Sequence, residues 1–322
     1  MKKIQKWIVT AMMLLWILPL HADAAEALIP GGQVVGLELG NGTVTVAAFE
    51  DGLGSAAREA GLEVGDEILA IDDTAVATAQ DVRRALEHSG GTVKVQVRRE
   101  GMVQSLRLSP EITPEGPRLG VYLRQGITGI GTITYYDPVH QRFGALGHGV
   151  NDSSGVLATM TQGNIYPATV LSVKKGQVGD PGQLLGAAES NQPCGKLSGN
   201  TAQGVFGVAP MGWGGQPLPV GSAEDVHTGP ATIRSTVSGN SIREYSVEVL
   251  KIYPKARQNG RNLLIRVTDP ELLQATGGIV QGMSGSPILQ DGKIIGAVTH
   301  VLVNDPTTGY GIFIENMLAA AA

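Results

Sequence analysis

The sequence predicts a multidomain chain, with a small α+β domain followed by a larger, mostly β domain. Three observations carry this. The chain has 322 residues, more than a single core usually serves. Its 45 glycines are about twice the ordinary share, as expected for short strands joined by tight turns. Pro110, Pro114 and Pro117 break the apolar periodicity between a compact mixed segment and a long series of short apolar runs. The expected organisation is a targeting segment over 1–27, the small domain over 28–112, a linker over 113–119 and the larger domain over 120–322.

Lys2, Lys3 and Lys6, the apolar run Trp7–Leu20 and the small-residue stretch through Ala22, Ala24 and Ala25 are the three parts of a secretory signal. Export is therefore expected. The apolar run is short of the roughly 20 residues a helical span needs, which favours cleavage after Ala24 or Ala27; retention as a signal anchor stays open. Cys194 is the sole cysteine, so no internal disulfide forms and packing alone must supply stability. Asp and Glu number 29 against 24 Lys and Arg, with no basic cluster beyond the first six residues. That balance argues against nucleic acid as a partner.

Within 28–112, Val34, Leu37 and Leu39 suggest a strand, with Val44, Val46 and Ala48 following across an Asn41-Gly42 turn. Thr78 with Asp81 three residues on forms a variant capping box for a helix presenting Val82, Ala85 and Leu86 on one face. Val93, Val95 and Val97 alternate, Glu100-Gly101 turns, and Val103, Leu106 and Leu108 return. The run Gly61-Leu62-Glu63-Val64-Gly65-Asp66-Glu67-Ile68-Leu69-Ala70-Ile71-Asp72 resembles the signature of PDZ domains. Those residues read as structural, with Leu62, Ile68 and Ile71 in the core. A peptide-binding role falls instead to Gly31, Gly32, Gln33, Val34, Val35 and Gly36, whose amides could form a nest for a peptide carboxylate beside an open strand edge. An ordinary Gly-rich loop is the alternative.

From Gly120 onward, apolar runs such as 127–134, 168–173, 204–208, 232–237, 246–252, 263–267 and 293–303 recur between Gly-rich turns, which suits a barrel or sandwich. Only 270–275 and 313–321 read as helical.

Gly282-Met283-Ser284-Gly285-Ser286-Pro287 carries the chemistry. A serine hydroxyl needs a base, and its oxyanion needs preplaced donors. Flanking glycines let the backbone turn so that the N–H groups of Gly282 and Ser284 can serve as those donors. The run resembles the nucleophile loop of chymotrypsin-like peptidases, with Met283 and Ser286 in place of that family's Asp and Gly. This implies a chymotrypsin-like, two-barrel domain. Ser284 rather than Ser286 sits in the Gly-x-Ser-Gly frame. His148, bracketed by Gly147 and Gly149, is the first choice as base; His300 is the competitor, and its position resembles the strand that lines the substrate pocket. Asp269 precedes Ser284 on the chain and follows an apolar strand, but spacing does not select it over Asp137, Asp152, Asp180 or Asp225, and a helix cap for Pro270 onward is a real alternative. No metal site is expected, since no His-Glu-x-x-His run is present, and no cofactor is implied.

Taken together, the Leu28–Gln33 run, the PDZ signature, Gly147-His148-Gly149, and the stretches Gly277–Pro287, Gly296–Val301 and Asn304–Pro306 resemble the SpoIVB peptidases over nearly the whole chain. The resemblance implies a His148, Asp269, Ser284 triad, which is what raises Asp269 above the other carboxylates. It also implies a sporulation protease, exported from the forespore into the space between its two surrounding membranes. Such a protease cuts itself near its N-terminus, then cuts a membrane-bound regulator of the intramembrane protease that processes the precursor of sigma factor K. Protein substrates and a peptide at the PDZ groove are the expected partners. A PDZ adaptor with an inactive peptidase-like domain, and a broad quality-control protease, are the alternatives.

Overall fold

A computed structural model describes residues 27–152, 155–190, 192–254 and 260–321. The targeting segment lies outside them, apart from Ala27. Strand β1 (Ala27–Pro30) and the long β2 (Val34–Phe49) open the chain. The Asn41-Gly42 step does not reverse β2 into a hairpin. Both halves of β2 pair with one strand, β9 (Val121–Asp137), with a register shift between Leu39 and Val44. The intervening residues are absorbed as an irregularity, held by the Asn41 side chain, which accepts the Thr43 amide at 3.1 Å.

The PDZ unit is an insertion in the path of β2 and β9. It comprises α1 (Ser55–Glu59), β3 (Glu67–Ile71), β4 (Thr74–Ala75), α2 (Ala79–Glu87), β5 (Val93–Arg99) and β6 (Met102–Leu108). The Thr78 capping box forms as expected: Thr78 Oγ1 accepts the Asp81 amide at 3.1 Å and Asp81 Oδ2 accepts the Thr78 amide at 3.0 Å. Leu62, Ile68 and Ile71 are buried with Val82, Leu86 and the three alternating valines of β5. Asp66 does more than turn the chain. It is 1% exposed and receives Arg99 through Nε and Nη2, both at 2.7 Å, plus the Glu63 amide at 2.9 Å. Burial pushes its carboxyl up, but the Arg99 and Glu63 bonds outweigh burial and hold it below the usual range.

Residues 113–119 are not an interdomain linker. β7 (Glu111–Thr113) and β8 (Gly116–Arg118) form a short hairpin, and the chain then enters β9, whose first residues pair with β2 inside the PDZ unit. Residues 28–39 likewise belong to the peptidase rather than to the PDZ unit, because β1 and the first half of β2 pair with the second half of β9.

The first barrel closes through β9, β10 (Arg142–Ala145), β14 (Gly204–Val208), β13 (Gly195–Thr201), β11 (Gln162–Lys174) and β2, which returns to β9; β12 (Gln183–Ala188) pairs with β11 outside this ring. Phe143, Ile133, Ile165 and Val205 fill it. After β15 (Leu218–Pro219), which pairs with β1, the second barrel closes in the order β16 (Gly229–Ser235), β17 (Arg243–Ile252), β18 (Leu263–Val267), β21 (Asp305–Phe313), β20 (Lys293–Leu302) and β19 (Pro287–Gln290). Helix α3 (Pro270–Thr276) leads from β18 towards the Gly282–Pro287 loop. Helix α4 (Ile314–Ala321) buries Ile314 and Met317 with Leu28, Tyr135 and Phe206 of the first barrel and Ile294 and Ile312 of the second.

Candidate active site

The run Gln281–Ser286 forms a tight loop where the second barrel presses on the first. Gly282 and Gly285 have φ of 98° and 97°, the left-handed region that favours glycine. A Cβ on Gly285 would lie 2.1 Å from the Thr132 carbonyl oxygen and 2.5 Å from the Leu146 amide. Thr132, on β9, grips the loop twice: its hydroxyl donates to the Gly282 carbonyl at 2.7 Å and its amide to the Ser284 carbonyl at 3.1 Å.

Two peptide planes in this loop are fixed through their carbonyls. Gln281 O accepts from the Leu184 amide at 2.8 Å, and Met283 O accepts from the Ser286 amide at 2.9 Å. Because a trans peptide sets C=O and N–H in opposite directions, the Gly282 and Ser284 N–H groups point away from those partners. No described backbone carbonyl outside the regular ladders accepts from either. Ser286, by contrast, is fully buried, with its hydroxyl on that of Ser235 at 3.0 Å. It is a packing residue.

His148 follows two left-handed residues, Leu146 with φ 68° and Gly147 with φ 69°. Glycine stands on both sides of it for lack of room. A Cβ on Gly147 would lie 2.9 Å from the Thr299 methyl, and one on Gly149 would lie 2.6 Å from the Thr201 carbonyl oxygen. The His148 Nδ1 lies 2.9 Å from the Gly149 carbonyl oxygen. Only a protonated Nδ1 can make that bond, and this tautomer leaves Nε2 with a free lone pair. Burial pushes the His148 pKa down, partly opposed by the Gly149 carbonyl.

His148, Ser284 and His300 line one cavity of about 530 Å³, with Gly282 and Thr299 beside them. Much of the remaining wall is aliphatic, with Leu39, Ile130, Ile279 and Val301, and Thr128, Asn151 and Gln281 add polar edges. The Ser284 hydroxyl donates to the Thr299 carbonyl at 2.8 Å. The His148 and His300 rings lie 5.2 Å apart between centroids, tilted by 38°. His300 is therefore a neighbour of His148 as well as a pocket wall. Burial, then the nearby His148 and Arg261, pushes its pKa down to about 4.

Asp269 is elsewhere. Its oxygens accept the Leu272 amide at 3.0 Å and the Ser246 amide at 3.3 Å, capping α3 with Pro270 at the first turn. It does not line the cavity that holds His148. The short path from Val267 through a Pro-initiated helix keeps its carboxylate on its own helix N-terminus, and the capping alternative is the arrangement that forms. The carbonyl of Gly149, which the sequence reading missed, occupies the Nδ1 position instead.

The Gly31–Gly36 segment is no carboxylate nest. The Gly31 and Gly32 amides donate to the Thr134 and Ile133 carbonyls, both at 2.9 Å, and Gln33 O accepts from the Ile133 amide. Val34, Val35 and Gly36 sit in register with Thr132, Gly131 and Ile130 of β9. A Cβ on Gly31 would lie 2.2 Å from the Ile133 carbonyl oxygen, so these glycines serve close strand approach. The groove of the PDZ unit lies between α2 and the start of β9, with a cavity of about 230 Å³ lined by Val82, Arg83, Leu86, Leu119, Val121 and Leu123. The signal for it was Leu119-Gly120-Val121-Tyr122-Leu123, a glycine of φ 70° followed by a strand.

Among the described residues no group of three His, Cys, Asp or Glu side chains could hold a metal. Cys194 is half-buried on the Ile165 carbonyl, and burial pushes its thiol pKa up. It is not placed to react.

A stretch of 79 residues, 24% of this chain and 21% of the other, is 38% identical to "Putative zinc metalloprotease R01501" of Rhizobium meliloti (strain 1021); the chain thus spans about a fifth of that protein's length. Among solved structures, the Rv3671c protease of M. tuberculosis in its active form is 18% identical, with 61% of this chain and 73% of that one covered and a TM-score of 0.35. Its Ser343Ala mutant in the inactive form is 17% identical, with 60% and 81% covered and a TM-score of 0.34. A PDZ domain profile matches residues 52–99, and the profile described as SpoIVB peptidase S55 matches residues 115–318. The chain belongs to the SpoIVB peptidase S55 family and carries a PDZ domain.

Proposed function

We propose that Ser284 is the nucleophile, His148 its general base and the Gly282 and Ser284 amides its oxyanion donors, and that the enzyme makes a few regulated cuts. The observation that carries this reading is the placement of Ser284 and His148 in one cavity, with the Ser284 hydroxyl bonded to Thr299 O. Past Val298, whose amide and carbonyl are taken by Ser286 and Gly285, β20 has a ladder partner on the β21 side only among the described residues. A substrate strand lying along that edge brings an N–H to Thr299 O. The serine hydroxyl is then released to His148 Nε2, which takes its proton as Oγ attacks the substrate carbonyl. His148 returns that proton to the departing amine, and water completes hydrolysis by the reverse path.

The substrates are this chain itself and a membrane-bound regulator of the intramembrane protease that matures sigma factor K, met after export from the forespore. The family supports that reading. Leu28 is fully buried and β1 joins the first barrel to β15, so a cut that leaves the barrels intact falls before Ala27. Intact mass after incubation tests this. The wild type should lose a segment ending before Ala27 while Ser284→Ala keeps its full mass; equal masses would overturn self-cleavage. Digestion of unfolded casein at many sites would favour a broad quality-control protease instead.

A further inference from the structure

We propose that one end of the first barrel docks onto an anionic lipid surface, inserting Met211 and Val139 with Arg142 and Lys196 behind them. The inference rests on residues 1–26 acting as a membrane-targeting segment, and the active-site cavity takes no part in it.

Met211 is 94% exposed and Val139 77% exposed. Single exposed apolar residues are ordinary, but these two share one end of the barrel. β10 and β14 lie side by side with Arg142 opposite Val208, and the Ala209 amide donates to the Gln141 carbonyl at 2.9 Å. Val139 stands just before Gln141 and Met211 just after Ala209, so the two turns project together. No charged side chain occurs in the sequence between Lys196 and Glu224. In the other turn the Asp137 carboxylate is occupied by the Val139 and His140 amides and the His140 ring.

Met211 is held outward by a built turn. The Gly212 amide donates to the Ala209 carbonyl at 3.0 Å, which puts Pro210 and Met211 at the two corner positions. Such corners usually carry small or polar residues. The turn is braced from beneath, where Trp213 packs edge-on against Tyr136 and Phe143 with ring centroids 5.8 Å apart in both pairs. A Cβ on Gly212 would run into the Tyr136 ring. A braced apolar tip loses little freedom on inserting. Trp213, half-buried beside it, is the residue type that gathers at a membrane–water boundary.

The flanking charge fits an anionic surface. Arg142 and Lys196 are exposed and lie on either side of Val208, each directly opposite it in its own strand pair. Residues level with one another across an antiparallel sheet share a face. Two cations therefore stand together behind the Met211 turn. Apolar tips with a basic rim combine insertion with attraction to anionic headgroups.

The path of the chain brings a membrane to this end. β1 runs antiparallel to β9 with Ile29 opposite Tyr136, so the chain enters the barrel from the end where Val139 projects. Residues 21–26 separate Ala27 from the apolar run Trp7–Leu20, a reach of about 25 Å at full extension. While that run is inserted in a bilayer, the tip is tethered within reach of its surface, and a weak contact becomes an effective one. His148 follows the opposite end of β10, so docking by the tip leaves the cavity clear.

The test uses the full chain with Ser284→Ala, to prevent loss of its N-terminal segment, and Cys194→Ser, to remove its sole thiol. Met211→Cys, Val139→Cys and, as a control, the equally exposed Val178→Cys each then carry a fluorophore. The protein is added to mixed phosphatidylglycerol and phosphatidylcholine vesicles containing a lipid with a nitroxide at headgroup depth. Quenching at 211 and 139 should exceed that at 178 by about fivefold or more. Arg142→Gln with Lys196→Gln should lower the docked-to-undocked ratio about 10- to 30-fold, and vesicles of phosphatidylcholine alone should do the same. Equal quenching at all three positions, in a chain that floats with the vesicles, overturns the proposal. A chain that does not float overturns it together with the reading of residues 1–26. Shielding of the 211 label that needs no vesicles and grows with protein concentration would place a second copy of the chain on the tip, and overturns lipid docking. None of these readouts depends on catalysis, so the peptidase mechanism stands or falls separately.

Discussion

The Ser284 hydroxyl is bonded to the Thr299 carbonyl at 2.8 Å and not to His148. In the proposed mechanism this is the strand edge that a substrate uses. Removing the hydroxyl leaves that carbonyl open, so Ser284→Ala should bind a substrate-like peptide at least as tightly as the wild type, up to about fivefold tighter if a hydrogen bond worth about 1 kcal/mol no longer competes. Fluorescence polarisation with the labelled peptide checks this. Clearly weaker binding by the Ala variant would mean that the peptide does not meet Thr299.

Asp269 caps α3 and should behave as a cap. Asp269→Asn, which keeps an N-cap acceptor, should leave stability and fluorophosphonate labelling near wild type. Asp269→Ala should lower stability by about 1 kcal/mol while the folded protein still labels. Chemical denaturation and labelling of the same samples separate the two effects, and a folded but unreactive Asp269→Asn protein would restore Asp269 to the triad.

Stability should depend on pH through the histidine pair. His300 ionises at about 4 in the folded chain against an ordinary 6.5, and His148 is shifted in the same direction. Between those values the unfolded chain binds more protons, so stability rises with pH. This contribution is fully present above about 6.5 and is lost as pH falls towards about 4. Replacing His300 by Gln should flatten that slope, measured as denaturation midpoints across the interval. An unchanged slope would show that His300 does not titrate as its burial requires.

The PDZ groove should take peptides at α2 and the start of β9. Arg83 is exposed on its rim, so Arg83→Glu should weaken binding of a peptide with a free C-terminal carboxylate by about tenfold. Gly36→Ala, whose Cβ would make only ordinary contact with Tyr166 at 3.8 Å, should not change it. Titration of both variants with one peptide decides between the two locations.

The sequence carried the local chemistry well and the long-range chemistry poorly. The Thr78 capping box and the PDZ core around Leu62, Ile68 and Ile71 were legible because each depends on neighbours in the chain. Resemblance supplied the two barrels. Thr132 holding Gly282 lies 150 residues away in sequence, and no spacing rule could expose it. The glycines at 31 and 32 looked like a ligand nest because an amide-rich loop and a close strand crossing use the same residue. Asp269 followed from family likeness, while its own Asp-Pro context already described a helix cap.

The most direct measurement is to map the fluorophosphonate adduct by peptide mass spectrometry on the wild type, Ser284→Ala and His148→Ala. The account predicts a single adduct on Ser284 in the wild type and none in either variant at equal reagent. An adduct on another serine, or undiminished labelling without His148, would contradict it.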